Sequence, residues 1–297
     1  MDYSKDFLSF SENAGRVKIL VLGLNGLIGW HLFRAAECRG QTWGTYRRRH
    51  SQLAKQTHCF RVDMHRPSEV EGLLRHLRPD YLFHAWAMCD LDLCESIPEM
   101  AWHTNVEGTR AILQAAQVLP ELKKIIYLST DHVFDGMRGQ YHEEDVPNPI
   151  HVYGKTKYEA ENLVRDSGLP HLIIRPGLVI GQSLQGNKGP RDFLLNRIRA
   201  GKPTHYFTDE WRTPVRAERF AAQVLELGLS GQEGTYHLTG TRKFNRYELA
   251  KDLAKENGMP TEYIFPRLRR EDVWAHIRPE NLSLISSKGP AGELLWE

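Results

Sequence analysis

Tyr153 and Lys157 have residue types and a spacing that suit proton transfer. In a helix, a separation of four residues places both side chains on one face, on consecutive turns. An ammonium group beside a phenol favours the phenolate, so we expect the pKa of Tyr153 to fall towards the working pH. Such a phenol can donate a proton to a substrate oxygen. The pattern also fits an ordinary surface helix, so the neighbouring elements must decide between the two interpretations.

A glycine-rich turn near the start of the chain predicts a nucleotide site. Residues 17–22 form a β-branched and aliphatic run, typical of a parallel strand buried on both faces. The run leads into a turn with the spacing G-x-x-G-x-x-G and then into a helical pattern that extends to about Arg39. Glycines let the backbone approach a pyrophosphate, whose charge lies on helix N-terminal amides. We therefore expect cofactor contacts from the turn, namely Gly23, Asn25, Gly26, Leu27, Ile28 and Gly29.

The end of the second predicted strand, residues 42–45, indicates which cofactor is preferred. An NAD-preferring site places an acidic residue here, about 20 residues after the glycines. This sequence has arginines instead, of which Arg47 and Arg48 are the expected contacts. Guanidinium groups suit a 2′-phosphate, so the sequence favours NADP(H). The alternative is a solvated basic loop.

In the second half of the chain, which suits a small substrate lobe, residues 170–175 and 234–238 also read as strands. In the first half, strand-like runs at residues 58–62, 81–84 and 124–128 alternate with helical or loop sequence. This alternation predicts an α/β protein with a doubly wound parallel sheet of the Rossmann type. Ligands bind at the carboxyl ends of the strands in such sheets. We therefore expect the residues that follow the third and fourth strands to lie beside the cofactor: Asp63, Met64, Ala85, Trp86 and Ala87.

Thr130 completes a possible catalytic group, because it follows the strand at 124–128 and precedes the helix of Tyr153. A hydroxyl and a phenol in these positions can converge on one carbonyl oxygen. The predicted reaction transfers a hydride from a nicotinamide to the carbonyl carbon while Tyr153 protonates the oxygen. Thr130 would polarise the oxygen, and Lys157 would hold the ribose and lower the pKa of Tyr153.

The glycine turn resembles that of the extended short-chain dehydrogenase/reductases that act on sugar nucleotides. Segments 129–136, 153–157, 175–181, 209–215 and 278–284 are similar to those of the dTDP-4-dehydrorhamnose reductases, and they span nearly the whole chain. The resemblance implies NADPH-dependent reduction of the 4-keto group of a nucleotide-activated 4-keto-6-deoxyhexose, in deoxysugar biosynthesis.

The same resemblance implies further site residues. It places Asp63 near the adenine, Asn105 at the start of a long helix where it helps to orient Lys157, and Arg175 among the cofactor contacts. For a nucleotide-sugar substrate it favours fork donors and apolar faces. These contacts would come from His132, Phe134, Trp211, Arg212 and Arg278, together with Arg175. Taken singly, each of these arginines also fits a surface ion pair.

Two other functions stay open. The chain is also similar to the regulatory β subunits of methionine adenosyltransferase, through the arginines after the second strand and the acidic segment 141–147. That resemblance implies an NADP-binding protein that acts through a partner. A third alternative is an NAD(P)-dependent sugar-nucleotide epimerase or dehydratase.

Composition narrows the classes of partner. Thirty-nine Lys and Arg against 37 Asp and Glu give a net charge of +2, which provides no broad basic face for nucleic acid. No apolar run approaches the roughly 20 residues that cross a bilayer. The early acidic residues do not suit a signal peptide, and the four cysteines form no metal pattern, so we expect reduced thiols and a cytoplasmic location.

We expect an N-terminal tail at 1–16, an NADP-binding domain at 17–176, and a mainly substrate-binding lobe at 177–297 with segments that return to the first domain. The related reductases use an acidic residue after the Gly-Trp of the first helix in an inter-subunit metal site, whereas this chain has His31. The sequence therefore predicts no metal and leaves a homodimer open.

Overall fold

The computed structural model describes residues 16–48, 51, 53–56 and 58–288. Its strands are β1 Lys18–Leu22, β2 Gln41–Tyr46, β3 Cys59–Arg61, β4 Tyr81–His84, β5 Lys124–Leu128, β6 His171–Pro176, β7 Leu178–Ile180, β8 Thr204–Phe207, β9 Trp211–Arg212, β10 Pro214–Arg216, β11 Gly234–Leu238, β12 Phe244–Asn245 and β13 Ile264–Arg267. Its α-helices are α1 Leu27–Ala36, α2 Pro67–Leu77, α3 Leu91–Ser96, α4 Pro98–Trp102, α5 Gly108–Ala116, α6 Val152–Asp166, α7 Gly189–Arg199, α8 Ala217–Leu229 and α9 Arg246–Glu256. A π-helical turn, His103–Glu107, joins α4 to α5, and short 3-10 turns lie at Leu53–Lys55, Asp131–Val133, Arg269–Glu271 and Ala275–Ile277.

Seven of the described strands form one parallel sheet in the order β11-β6-β5-β4-β1-β2-β3. At its centre, Leu20 of β1 pairs with Trp43 of β2 on one side and with Leu82 of β4 on the other. Helices α1 and α8 cover one face, and α2, α5 and α6 cover the other. Burial on both faces explains why the strands read as continuous apolar runs. The predicted doubly wound α/β fold is confirmed, with the predicted strands in this sheet.

The second half of the chain builds a smaller core of its own. Pairs of short strands, β7 with β10, β8 with β13 and β9 with β12, accompany α7 and α9. Ile180, Leu194, Phe244 and Leu253 are among the buried residues of this cluster. Two later segments belong to the large sheet instead, because β11 pairs with β6 and α8 packs on α1. The domain boundary at residue 176 stays a prediction.

In the part of the chain described here, no helix is both long enough and apolar enough to span a bilayer.

Candidate active site

The glycine turn after β1 fits the pyrophosphate of a dinucleotide. Gly23 has φ of 103°, and a Cβ there would lie 3.0 Å from the backbone of Trp86. A Cβ on Gly29 would lie 2.3 Å from the carbonyl oxygen of Gly23. Within the described helix α1, Gly26 provides no side-chain cap and the first turn holds no acidic residue. Within this turn, no side chain of α1's first turn or N-cap competes with an anion for the N-terminal amides, and their contact with a cofactor stays a prediction.

Asn25 lies in the same turn, but its side chain serves the neighbouring arginines. Its Oδ1 accepts hydrogen bonds from the backbone amides of Arg47 at 3.0 Å and Arg48 at 3.2 Å. Its Nδ2 donates to the carbonyl oxygen of Arg48 at 3.2 Å. Both arginine side chains are exposed at the end of β2. Asn25 thus fixes the backbone that presents the predicted 2′-phosphate contacts.

The other predicted cofactor residues lie at the carboxyl ends of β3 and β4. Asp63 accepts a hydrogen bond from the backbone amide of His65 at 3.1 Å. Met64 is buried in the core beneath α2. Trp86 packs against the helix backbone, since a Cβ on Gly108 would lie 2.3 Å from its indole ring. Ala85 and Ala87 are partly exposed beside it. Contact of these residues with a cofactor stays a prediction.

Helix α6 brings Tyr153 and Lys157 to the end of β5. His151 caps the helix, because its Nδ1 accepts a hydrogen bond from the amide of Gly154 at 3.0 Å. Lys157 is 2% exposed, and its Nζ donates to the carbonyl oxygen of Leu128 at 2.7 Å. The same ammonium lies 4.0 Å from the centre of the Tyr127 ring. Both functional side chains are thus held inside the protein.

Thr130 follows β5 and meets this helix. Its Oγ1 accepts a hydrogen bond from the amide of His132 at 3.2 Å, which starts the short turn Asp131–Val133. Its hydroxyl also hydrogen-bonds to Tyr153, an interaction that lowers the pKa of the phenol. The structure therefore brings Thr130, Tyr153 and Lys157 together at one strand end, as the sequence predicts.

The predicted direction of the Tyr153 pKa is wrong for this structure. Burial raises the pKa of the phenol, and the hydrogen bond from Thr130 offsets only part of that effect. Burial also lowers the pKa of Lys157 to about 7, so its positive charge is incomplete at neutral pH. Desolvation disfavours the charged form of each group. Tyr153 therefore stays protonated and able to act as a proton donor.

Asn105 does not start a helix, as the sequence suggested, because α4 begins at Pro98 and a π-helical turn carries Asn105. Its Oδ1 accepts from the amide of Met88 at 2.8 Å, and its Nδ2 donates to the Met88 carbonyl at 3.0 Å and to Thr156 at 2.9 Å. The side chain thus ties the loop after β4 to the helix of Tyr153. Its described bonds do not include Lys157, so any effect on that residue passes through Thr156.

A buried chain of polar groups flanks Tyr153. Arg212 donates to both carboxylate oxygens of Asp131, at 2.8 and 2.7 Å, and through Nη1 to His132 Nε2 at 2.9 Å. His132 Nδ1 lies 2.8 Å from His151 Nε2, and the His151 ring is parallel to Tyr153 with centres 6.2 Å apart. Sequence reasoning missed Asp131 and His151; the only signal was their position beside Thr130 and Tyr153.

His132 and His151, the two histidines in this buried polar group, are held neutral. Both rings are buried, and the guanidinium of Arg212 lies 2.9 Å from His132 Nε2. Burial and the charge of Arg212 lower the pKa of His132 well below its ordinary value and that of His151 to about 4. Tyr153, the proton donor, therefore lies beside two uncharged imidazole rings, and we call His132 and His151 the neutral wall.

Two predicted ligand contacts are corrected by their burial. Arg175 donates to the carboxylate of Glu161 at 2.9 and 2.7 Å, and its side chain is 2% exposed. Phe134 is fully buried and stacks on Tyr141 with ring centres 4.3 Å apart. Neither presents a surface to a diphosphate, base or sugar here. Glu161, which sequence reasoning missed, also accepts from Ser129 at 2.5 Å and so joins the end of β5 to α6.

The remaining predicted substrate residues lie where the two cores meet. Arg212 is committed to Asp131, and Arg278 forms ion pairs with Asp92 and with Asp272, the latter at 3.7 Å. Trp211 is partly exposed, with the Nζ of Lys243 4.7 Å from its ring centre. Substrate contact by these residues stays a prediction. No group of three or more His, Cys, Asp or Glu side chains within the described ranges could hold a metal ion.

The parallel sheet, glycine turn and Thr-Tyr-Lys group define an extended short-chain dehydrogenase/reductase. The family model described as "RmlD substrate binding domain" matches residues 17–291, and the chain belongs to that family.

The chain is similar to curated reductases and to a subunit of methionine adenosyltransferase. The chain is 30% identical to the dTDP-4-dehydrorhamnose reductase of Salmonella typhimurium, over 82% of this chain and 80% of the relative. It is 35% identical to the probable low-salt glycan biosynthesis reductase Agl14 of Haloferax volcanii, over 73% of each. It is 25% identical to methionine adenosyltransferase 2 subunit beta of Bos taurus, over 91% of this chain and 81% of the relative.

Solved structures show the same fold. A hypothetical dTDP-4-dehydrorhamnose reductase from Sulfolobus tokodaii is 30% identical, with a TM-score of 0.77 and coverage of 91% of this chain and 93% of that one. The dTDP-4-dehydrorhamnose reductase of Bacillus anthracis, solved in complex with NADP, is 22% identical, with a TM-score of 0.79 and 91% of each chain covered.

Proposed function

We propose that this protein is an NADPH-dependent reductase of the 4-keto group of a nucleotide-activated 4-keto-6-deoxyhexose. The observation that carries the proposal is the convergence of Thr130, Tyr153 and Lys157 at the end of β5. The names of the Salmonella and Sulfolobus relatives support the substrate class. The NADP in the Bacillus anthracis structure supports the cofactor.

The bound cofactor would supply the hydride, and the chain would supply the proton and the geometry. The phenol of Tyr153 stays protonated and donates to the substrate oxygen, while the hydroxyl of Thr130 orients that oxygen. Lys157 is anchored by Leu128 and has further ammonium protons for a ribose hydroxyl. Thr130, Tyr153 and Lys157 are all buried, which would exclude water from the oxygen of a bound substrate.

For the cofactor we propose that the α1 amides hold the pyrophosphate and that Arg47 and Arg48 distinguish NADPH from NADH. Support comes from the open glycine turn and from Asn25, which fixes the arginine backbone. For the substrate we propose Trp211 and Arg278 as contacts. We propose that His132 and Arg212, which are bonded to each other, position Tyr153. Arg278 would exchange Asp92 for a phosphate oxygen.

The experiment is NADPH oxidation with dTDP-4-keto-6-deoxy-L-mannose as acceptor, followed by its GDP, UDP and CDP counterparts. We expect turnover with at least one acceptor, and we expect Tyr153→Phe to abolish most of it. The preferred nucleotide then identifies the base. Tight NADPH binding without oxidation by any acceptor would contradict the reductase proposal.

The second candidate is an NADP-binding regulatory subunit that acts through a protein partner. The similarity to methionine adenosyltransferase 2 subunit beta over 91% of this chain favours it. A regulatory protein can retain Tyr153 and Lys157, so the site alone does not separate the two functions. A pull-down with NADPH-loaded protein would test this candidate. Partner capture unchanged by Tyr153→Phe, together with no turnover, would support it.

We also propose that the protein acts in the cytoplasm and forms a homodimer. Four unpaired cysteines, two of them exposed, support a reducing compartment: Cys38, Cys59, Cys89 and Cys94. Four large apolar side chains exposed within α3, α4 and the residue between them support an interface: Leu93, Ile97, Met100 and Trp102. Light scattering would test the dimer. A parent protein with the mass of a monomer would contradict the dimer, and a dimer that keeps its mass with Ile97→Asp would contradict the proposed interface.

A further inference from the structure

The arginine turn after β2 has a histidine partner whose role the catalytic group does not explain. Arg47 Nη1 lies 3.5 Å from His65 Nε2. The His65 ring stacks on His103 with centres 4.5 Å apart and an angle of 13°, and it meets the edge of Trp86 at 5.3 Å. Basic groups from the ends of β2 and β3 and from the π-helical turn His103–Glu107 therefore lie side by side.

The contact with Arg47 fixes the proton on His65. A guanidinium has only donors, so His65 Nε2 must present a lone pair and the proton must lie on Nδ1. That Nδ1 is buried and has no hydrogen-bond partner among the described residues. An anion placed against Arg47 would meet an acceptor at Nε2 unless the proton of His65 moves to Nε2 or the ring takes up a second proton. A phosphate dianion favours the second course, because its charge stabilises the imidazolium.

We propose that His65, stacked on His103, forms part of the site for the 2′-phosphate of NADP(H), and that binding of this phosphate is coupled to proton uptake by His65. The proposal rests on the proposed use of NADP(H) and on Arg47 as the first phosphate contact. A phosphate oxygen would then accept charge-assisted hydrogen bonds from both side chains. NAD(H), which lacks this phosphate, would bind without the proton.

The charged groups around His65 agree with this linkage. Burial, His103 and Arg47 all lower the pKa of His65 below its ordinary value of 6.5, while Asp63 raises it. Asp63 is itself 3.9 Å from Arg66 across the start of α2. A phosphate between Arg47 and His65 would add negative charge and raise the pKa of the imidazole. NADP(H) affinity should therefore gain from His65 as the pH falls through this range.

The test is calorimetric titration of NADP⁺ and NAD⁺, each in two buffers of different ionisation enthalpy, near pH 6.5. The phosphate also titrates near pH 6, and its titration is coupled to that of an imidazole bonded to it. The difference between the parent and His65→Asn therefore reports the proton taken up by the imidazole–phosphate pair. We expect the parent to take up as much as one proton more than the variant with NADP⁺, and the same number with NAD⁺.

The affinity change should also be selective. Loss of one charge-assisted hydrogen bond should weaken NADP⁺ binding by roughly tenfold at pH 6 and by less at pH 8.5. His65→Phe keeps a ring against His103 and Trp86 but has no nitrogen, so it should behave like His65→Asn. His76→Asn, an exposed histidine on α2, is the matched control and should match the parent.

The outcomes separate this inference from the proposed function. Parent-like NADP⁺ affinity and proton uptake in either His65 variant would overturn the inference and leave the NADP preference intact. Equal losses for NADP⁺ and NAD⁺ would also overturn it, because the residue would then support the adenosine in general. A parent protein that binds no NADP⁺ would contradict the proposed cofactor and this inference together.

Discussion

The reacting end and the adenosine end of the proposed site use charge in opposite ways. At the reacting end the ionisable groups are buried and paired within the chain, as Arg212 is with Asp131 and Arg175 with Glu161. At the adenosine end Arg47 and Arg48 are exposed, and Asn25 bonds only to their backbone. The first region is therefore preorganised by the fold, whereas the second keeps its side-chain charge for a ligand.

This difference predicts where function and stability are coupled. A buried ion pair that loses one partner leaves a charge without solvation, which is costly to the folded state. An exposed arginine that is removed leaves no such defect. Substitutions at the reacting end should therefore affect folding, chemistry or both, and substitutions at the adenosine end should affect cofactor choice alone.

The largest expected effect is that of Tyr153→Phe. It removes the proton donor and keeps the ring that packs near His132 and His151. We expect turnover to fall by roughly 10²–10⁴, as for loss of a general acid, with cofactor affinity little changed. Steady-state NADPH oxidation and calorimetry would measure the two quantities. Tyr158→Phe, on the next turn of α6, is the matched control; a parental rate for Tyr153→Phe would disprove the assignment.

Glu161→Gln should give the next largest effect, on stability. The carboxylate is fully buried and accepts from Ser129, Arg165 and Arg175. Its loss should lower the free energy of unfolding by about 3–5 kcal/mol, the usual cost of breaking a buried pair. Urea denaturation measures this change.

Glu159→Gln on the same helix is the control for Glu161→Gln and should stay close to the parent. If both variants unfolded at the same urea concentration, the reacting end would not be held by its buried charges.

Tyr153 and Glu161 show what the sequence could and could not predict. Tyr153 was found because its spacing from Lys157 and its order after the glycine turn are local patterns. Glu161 on α6 escapes prediction because its partners come from other elements, Arg175 from β6 and Ser129 from the residue after β5, and pairing across elements leaves no local signal. The strands were found for the opposite reason, since burial on both faces imposes continuous apolar runs.

The failed expectations have the same origin. The resemblance assigns Arg175 and Phe134 to ligands, but tertiary contacts use both side chains inside the protein. The expected fall in the pKa of Tyr153 considered Lys157 alone and left out burial, which acts in the opposite direction. At the exposed adenosine end, Arg47 and Arg48 follow β2, and their contact with a cofactor stays a prediction.

A smaller effect is expected from Arg47→Asp combined with Arg48→Ala. The ratio of NADPH to NADH affinity should fall by roughly 10–100-fold, because each charge-assisted hydrogen bond contributes about 1.5–3 kcal/mol. The melting temperature should stay near that of the parent, since both side chains are exposed. Cofactor titrations and thermal melts measure both quantities.

Arg75→Ala, an exposed arginine on α2 that pairs with Glu71, controls for the loss of surface charge. An unchanged cofactor ratio in the double variant would rule out these side chains as readers of the phosphate. A large loss of stability would remove the contrast between the two ends.

The smallest effect concerns pH and tests the neutral wall at the reacting end. His151 has a pKa of about 4 in the folded chain, against 6.5 ordinarily. Between these values the unfolded chain binds the proton and the folded chain does not, so the free energy of unfolding falls as the pH is lowered from 6.5 to 4. One such histidine contributes at most about 1.4 kcal/mol per pH unit.

His151→Asn removes this titration and keeps a side-chain oxygen that can cap α6. Its free energy of unfolding should therefore depend less steeply on pH, by about the share of one proton, when urea denaturation is repeated from pH 7 to pH 4.5. His205→Asn, an exposed histidine on β8, should keep the parental slope. If His151→Asn also kept it, His151 would be charged in the folded protein, and the proton donor would lie beside a cation rather than a neutral ring.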